Sequence, residues 1–380
     1  MSTPFNAGAS PRLTRAVEAI EDAPPAAAAG GVVSWRGRRS GSLRPGLDPR
    51  RLAALIEAAV ERCRLDLTGK VVLTEAACGS YVVTPILAAC AGALHVYATT
   101  KPTAYGTVED VVAQTLEVAE LAGVRDRIEI VFGRSSAIVG QADIITNSGH
   151  VRPIDREMIG WMKPSAVVSL MYEAWEFRPG DVDLDACRDR QIRVGATDER
   201  HPDIDMFSFL GPMAVKLLLD AQVAVYRSSI LLLCDNPFSG FLARGLKRAG
   251  ASVDVAQSVA MAPRQQRYDA IVVALQPRDV PVLSAADARL ISCHWPGAVV
   301  AQFWGDIDRV TLEDLNVPLW PEKGPSAGHM GILPSAIGPE PVIRLQAGGL
   351  KVGELLGRGA GRDVAHDCLQ VMGSVEGEHA

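Results

Sequence analysis

The sequence predicts an α/β protein: two Rossmann-like parallel-sheet domains joined by a long interdomain helix. Short apolar segments alternate with segments of helical period, the pattern of strands buried on both faces of a parallel sheet. The alternation runs twice, over residues 46–202 and 227–358, and 380 residues are enough for two domains of ordinary size. Between the two, "DIDMFSFLGPMAVKLLLDAQVAVY" (203–226) is one apolar run read as a helix, with a kink expected at Pro212.

The elements follow in order. Residues 48–66 form a helix capped by Asp48, with Pro49 in its first turn. "KVVLTEA" (70–76) is a buried strand, 79–93 a helix and "LHVYATT" (94–100) the next strand. Residues 107–124 carry apolar side chains at helical spacing, with Gly123 at the C-terminal stop. Strands are expected at 127–133, 142–148, 166–172 and 191–197, with short helices between them. The second unit reads as strand 229–234, helix 240–249, strands 252–256 and 269–275, helix 284–292 and strand 298–303. A last helix is expected near 348–357, inside a segment rich in Gly and Pro.

Composition excludes some function classes. With 48% hydrophobic and 22% charged residues, the chain can bury a large core. The net charge of −6 offers no basic field for nucleic acid or an anionic membrane. Seven scattered cysteines without a C-x-x-C pair read as reduced thiols, Cys78 among them as a structural one. No apolar run reaches membrane-spanning length and the N-terminus lacks a secretory pattern, so a cytoplasmic protein is expected. Residues 1–45 and the tail 359–380 offer little to bury and are expected to be disordered.

"SSILLLCDNPFSGFLARGLKRAGASVDV" (228–255) has the strand–turn–helix–strand form of a dinucleotide-binding unit. Its turn holds Asp235, Asn236, Pro237, Phe238, Ser239 and Gly240 instead of G-x-G-x-x-G. A cofactor there would be met by the helix N-terminus and the side chains of Asn236 and Ser239, while Asp235 would repel a phosphate. Gln276, in the loop after strand 269–275, is a further candidate contact. "VVLTEAACGSYVVTPILAACAGALHVYATT" in the first unit has the same form, with Gly79 alone in the turn and Thr99 and Thr100 closing the second strand. Lys101 and Tyr105 behind it read as a solvated loop.

Polar clusters then leave the strand ends, where ligands bind in open parallel sheets. "TNSGHVRPID" supplies Asn147, Ser148, His150 and Arg152, suited to a carboxylate or phosphate. Asn and Ser there could equally cap the next helix, but His and Arg add nothing to a cap. "MYEAWEFRPGD" carries Tyr172, Glu173, Trp175, Glu176 and Arg178, suited to an amine or polar ring; a surface ion-pair network is the plainer alternative. Glu199, Arg200 and His201 precede the interdomain helix, with Glu199 and His201 as cleft candidates. His150, His201 and His329 lack any metal-ligand spacing, so no metal site is expected.

"DVDLDACRDRQIRVGATDERHPDIDMFSFLGPMAVKLLLDA" (181–221), "YDAIVVALQP" (268–277), "AADARLISCHWPGAVVAQFWGDID" (285–308) and "GHMGILPSAIG" (328–338) resemble segments of the D-2-hydroxyacid dehydrogenases. The resemblance covers roughly 140–345. It implies a nicotinamide cofactor, NAD or NADP, held by the second domain, and His329 as acid or base. The family's glycine fingerprint, ribose acid and catalytic Arg are not matched; Trp304 or Gly305 stands at the Arg position. Residues 70–170 more weakly resemble a class I methyltransferase core, which implies S-adenosylmethionine.

The expectation is a diverged oxidoreductase for a small polar metabolite, bound in an interdomain cleft. His329, His150 and Glu173 are the catalytic candidates. Asn147, Ser148, Arg152, Tyr172, Trp175, Glu199 and His201 are the substrate-binding candidates. The alternatives are a methyltransferase on the same scaffold and a non-catalytic ligand-binding protein. A homodimer is expected, with no nucleic-acid or membrane partner.

Overall fold

The computed structural model describes residues 44–103 and 106–359, and the backbone of 369–372. The expectations for the first 43 residues, for Tyr105 and for the side chains of the C-terminal tail lie outside the described residues.

The α/β fold class stands. The first sheet is built from β1 (Val71–Glu75), β2 (His95–Thr100), β3 (Ile128–Phe132), β4 (Ile144–Thr146), β5 (Val167–Ser169) and β6 (Arg193–Thr197). All six are parallel, in the order β3-β2-β1-β4-β5-β6. The second sheet contains β7 (Ser229–Leu233), β8 (Ser252–Ala256), β9 (Ala270–Ala274), β10 (Val299–Trp304) and the short β11 (Leu319–Trp320), in the order β8-β7-β9-β10-β11. A last strand, β12 (Leu369–Met372), adds antiparallel to β6. Neither strand is expected from the sequence: β11 has two residues, too few to show a pattern, and β12 lies in the tail 359–380 that composition marks as disordered, where pairing with β6 gives residues 369–372 a place in the sheet.

Helices cover both faces of each sheet. On the first, α1 (Pro49–Arg62), α2 (Val83–Cys90) and α3 (Val108–Leu121) share one core with Val72, Val96 and Ile144. The short α4 (Ser136–Val139), α5 (Arg156–Trp161) and α6 (Leu184–Asp189) form the other layer. Side-chain caps start these helices: Asp48 on α1, Thr107 with Asp110 in a capping box on α3, Asp155 on α5 and Asp183 on α6. On the second sheet, α7 (Leu210–Asp220) and α8 (Ser239–Arg248) lie on one face; α9 (Ala285–His294) and α10 (Arg309–Asp314) lie on the other.

The interdomain segment is shorter than its apolar run suggests. A 3-10 turn at Phe207–Phe209 leads into α7, and Pro212 falls in the helix's first turn, where no intrahelical N–H bond is lost. Pro212 therefore starts the helix and does not kink it. Helix α7 packs into the second core, with Met213 and Leu217 in the cluster that holds Ile230 and Leu232.

The last helix, α11 (Glu340–Gly357), starts eight residues before the expected 348 and packs on the first sheet, not the second. Three glycines bring it close. A Cβ on Gly349 would lie 2.3 Å from Met171 Sδ, one on Gly353 2.5 Å from Ile144 Cγ2 and one on Gly348 2.6 Å from Ile204 Cδ1. Thr84 Oγ1 donates to Gln346 Oε1 at 3.0 Å, and the Asp66 N–H to the buried Glu354 at 2.9 Å.

A second close contact joins α7 to α8, where a Cβ on Gly245 would lie 2.3 Å from Gly211 Cα. Backbone cannot yield as a side chain can, so Gly245→Ala is expected to cost about 1–3 kcal/mol or more in chemical unfolding. Gly240 sits in the same helix with nothing within 4 Å of a Cβ. Gly240→Ala should be neutral or stabilising by up to about 1 kcal/mol. Equal losses at both positions would refute the close-packing account.

Candidate functional site

The order of the first sheet reverses between β1 and β4, so the loops leaving these neighbouring strands part and leave a crevice at their C-terminal ends. Strand β1 ends in Thr74 and Glu75; β4 ends in Thr146 and runs on through Asn147, Ser148, Gly149 and His150. Three buried hydroxyls join the strands. Thr146 Oγ1 donates to Thr74 Oγ1 at 2.8 Å, Thr74 Oγ1 lies 3.3 Å from Ser148 Oγ, and Thr146 and Ser148 bond directly.

The carboxylate of Glu75, 7% exposed, accepts the His150 N–H at 3.0 Å. Burial pushes its proton affinity up, against the pull of that N–H and of the nearby His150 and Arg152 charges. Tyr81 lies close enough that burial and the Glu75 charge both raise its phenol. His150 Nδ1 is 3.1 Å from the Ala76 carbonyl, which can only accept, so Nδ1 carries the proton and Nε2 is left as the basic nitrogen. Arg152 pairs with Asp181 at 2.8 Å, and the Tyr172 hydroxyl donates to the same carboxylate at 2.7 Å. Asn147 accepts the Met171 N–H through Oδ1 at 2.8 Å, which ties the end of β4 to the residues after β5.

A second cluster follows β5. Glu173, 2% exposed, accepts the Trp175 indole N–H and, at 3.0 Å, the Glu199 N–H. Glu176 and Glu199 share a hydrogen bond between their carboxyl groups. Burial raises all three acids, Glu176 to about 7; repulsion from Glu173 adds to the rise at Glu176, repulsion from both Glu176 and Glu173 adds at Glu199, and Asp198 adds at Glu173. The indole of Trp175 faces the second domain, with its ring 5.1 Å from Trp304 and 6.2 Å from Phe238. Phe238 in turn lies 5.0 Å from Trp304 and 5.2 Å from Phe207. The C-terminal ends of β5, β7 and β10 therefore meet through aromatic side chains. His201 stands in the turn after β6, where its Nδ1 accepts the Asp203 N–H at 3.2 Å.

The turn after β7 is differently built. Asn236 bridges to the end of β9 by donating to the Ala274 carbonyl at 2.7 Å, and its Oδ1 accepts the Phe238 N–H. Asp235 accepts the Gln276 N–H at 2.8 Å and pairs with Arg278 at 3.1 Å. Ser239 and Pro237 line a cleft of about 600 Å³ with Val255, Gln257 and Met261, while Gly240 is exposed at the start of α8. His329 is exposed in a loop beside Trp304, with its ring 3.0 Å from the Ala327 carbonyl. The Gly328 carbonyl of that loop accepts the Trp304 indole N–H at 3.3 Å.

The residues named from sequence thus fall into four places: Asn147, Ser148, His150, Arg152 and Tyr172 at the β1/β4 crevice; Glu173, Trp175, Glu199 and His201 beside the domain contact; Asp235–Gly240 with Gln276 on the second sheet; and His329 in the exposed loop beside Trp304. Glu75, Tyr81 and Asp181 were not among them. The signal for Glu75 was a charged residue closing an otherwise apolar strand. Among the described residues no group of three His, Cys, Asp or Glu side chains is arranged to hold a metal. No helix among them is long and apolar enough to cross a membrane.

Glu176 gains proton affinity on folding, so the stability it contributes is whole below about pH 4.5, its ordinary value, and is lost as the pH rises through about 7. The thermal midpoint is expected to fall between about pH 5 and about pH 8, and Glu176→Gln should flatten that fall. A midpoint that rises over the same range would overturn the shared-proton arrangement.

No family model matches the chain, and no curated protein matches it. Among solved structures it is similar to a dipicolinate synthase subunit from Bacillus halodurans, with 13% identity and a TM-score of 0.48 over 74% of this chain and 96% of that one. It is also similar to the corresponding dipicolinate synthase chain of Bacillus subtilis, with 12% identity and a TM-score of 0.46 over 78% and 97%. The NAD-dependent formate dehydrogenase of Staphylococcus aureus, solved in complex with NAD, gives 12% identity and a TM-score of 0.44 over 76% and 94%. These are likenesses of fold to two-domain Rossmann proteins, 2-hydroxyacid dehydrogenases among them.

Proposed function

We propose that the chain is a nicotinamide-dependent oxidoreductase for a small metabolite bearing a carboxylate or an amine, with the cofactor along the C-terminal edge of the first sheet. One observation carries the reading. Five buried side-chain polar atoms among the described residues have no hydrogen-bond partner, and three of them stand at that edge. They are Thr100 Oγ1 at the end of β2, Asn147 Nδ2 just after β4 and Ser169 Oγ at the end of β5. Buried polar groups are normally paired, and an edge that leaves three unpaired suits a polar ligand.

The residues there fit a dinucleotide in part. The order β3-β2-β1-β4-β5-β6 is that of the dinucleotide-binding sheet. Gly79, with φ +65° and open space where a Cβ would point, gives the turn after β1 the freedom that close approach of a ligand needs. Neither the 3-10 turn Gly79–Val82 nor α2 is capped by its own N-cap side chain, although Gln114 Oε1 accepts the Gly79 N–H at 3.1 Å. Glu75 opposes an anion when charged, and burial favours its neutral form. The second-domain turn is less suited, because Asn236 and Asp235 already satisfy one another's surroundings and Asp235 adds a negative charge.

When bound, the nicotinamide ring supplies or takes the hydride. The chain's own part is to bind and to move protons. Arg152, oriented by Asp181, holds a substrate carboxylate. His150 exchanges a proton at Nε2. Glu173 and Glu199, beside Trp175, receive an amine or polar ring. A second reading, methyl transfer from S-adenosylmethionine at the same edge, is favoured by Glu75, whose ionised form, disfavoured by burial in the free protein, would be stabilised by that cofactor's ammonium end.

Calorimetric titration with NAD, NADP, S-adenosylmethionine and S-adenosylhomocysteine separates the two readings. Nicotinamide binding is expected; binding of the adenosyl pair alone would replace the first reading by the second. Ser169→Ala gives an internal check. It should stabilise the free protein by about 1 kcal/mol, because an unpaired buried hydroxyl is removed, and should reduce the thermal shift that the cofactor produces.

A further inference from the structure

We infer that the edge selects NADP over NAD, and that Lys101, with the hydroxyls of Thr99 and Thr100, reads the 2′-phosphate. This rests on the proposal that the first sheet binds a nicotinamide dinucleotide. In such a sheet the residues closing the second strand meet the adenosine ribose. An acid there grips the free 2′-hydroxyl and repels a phosphate, whereas a cation accommodates the phosphate.

Strand β2 closes with Thr99 and Thr100 and is followed by Lys101; no acid stands at its end. Lys101 is exposed, and among the described residues no carboxylate lies within ion-pair distance of it. Two acids follow in the first turn of α3: Glu109 is exposed and makes no ion pair with Lys101, and Asp110 is engaged by the Thr107 N–H at 3.2 Å and the Thr107 hydroxyl at 3.0 Å in the helix cap. Thr100 Oγ1 is buried without a partner. Thr99 Oγ1 donates to the Gly133 carbonyl at 3.3 Å and keeps its lone pairs as acceptors. The corner therefore holds a cation with no ion-pair partner among the described residues, a charge that a phosphate monoester neutralises and a ribose hydroxyl does not. Lys101, which reads as merely solvated in the sequence, becomes the discriminating residue.

The test is calorimetric titration of the full chain with NAD, NADP, 2′,5′-ADP, 5′-AMP and inorganic phosphate, repeated on Lys101→Ala and Lys101→Glu. NADP is expected to bind at least about tenfold more tightly than NAD, and 2′,5′-ADP than 5′-AMP, with the gap narrowing as salt is raised. Lys101→Ala should remove most of the gap and leave NAD unchanged; Lys101→Glu should invert it. Unchanged melting temperatures would show both variants folded. Equal or tighter binding of NAD, or equal losses for both dinucleotides in Lys101→Ala, would overturn the inference while the oxidoreductase reading stands. Inorganic phosphate binding as tightly as 2′,5′-ADP would also overturn it. Binding of neither dinucleotide nor either adenosine fragment would overturn both.

Discussion

Helix α11 can lie on the first sheet only because its contact face lacks side chains where the sheet comes closest. Gly348, Gly349 and Gly353 each stand where a Cβ would overlap Ile204, Met171 or Ile144. The chain leaves the first domain through the segment before α7 and returns to it through α11, so the second domain is held at both ends. That double attachment sets the ends of β5, β7 and β10 against one another, and Trp175, Phe238 and Trp304 fill the junction. Residues far apart in sequence thereby act on a shared space, with apolar contacts setting the geometry for the polar ones.

Carboxylates are then buried at two points on one sheet edge, and each is managed by its neighbours. Glu75 is held by a backbone N–H and faced by His150 and Arg152, so its ionised form is opposed mainly by burial. Glu176 and Glu199 relieve their repulsion by sharing a proton, while Glu173 is held by the Trp175 indole N–H and the Glu199 backbone N–H. The first arrangement suits a site that must sit beside a ligand of either charge state. The second couples the state of the domain contact to pH, because Glu173 holds the indole that bridges the domains.

The sequence shows the first ten strands, since short apolar runs mark them, and misses β11 and β12. It does not show their spatial order, and the order is what distinguishes the first sheet from the second. Reading the 235–240 turn as the nucleotide corner follows from its strand–turn–helix pattern, which both units share. Only the pairing of β1 with β4 and of β7 with β9 separates them. The first half of α11 is hidden for a different reason: Gly338, Pro339 and Pro341 at its start make the segment read as a turn, although Pro341 falls in the helix's first turn, where it is tolerated. Asp181 hides inside an aspartate-rich turn, and only its contacts with Arg152 and Tyr172 give it a role.

The two sheets differ most in how their polar groups are satisfied. At the end of β7, Asn236 and Asp235 are closed by the Ala274 carbonyl, the Gln276 amide and Arg278, so a ligand arriving there would have to break bonds already made. At the ends of β2, β4 and β5 the orphaned groups have nothing to lose. Leaving a buried donor or acceptor unmade costs about 1–3 kcal/mol, so three on one edge are a standing cost to the free protein. A ligand that pairs them recovers this cost on binding, and the recovery is a source of affinity that the closed turn after β7 does not have.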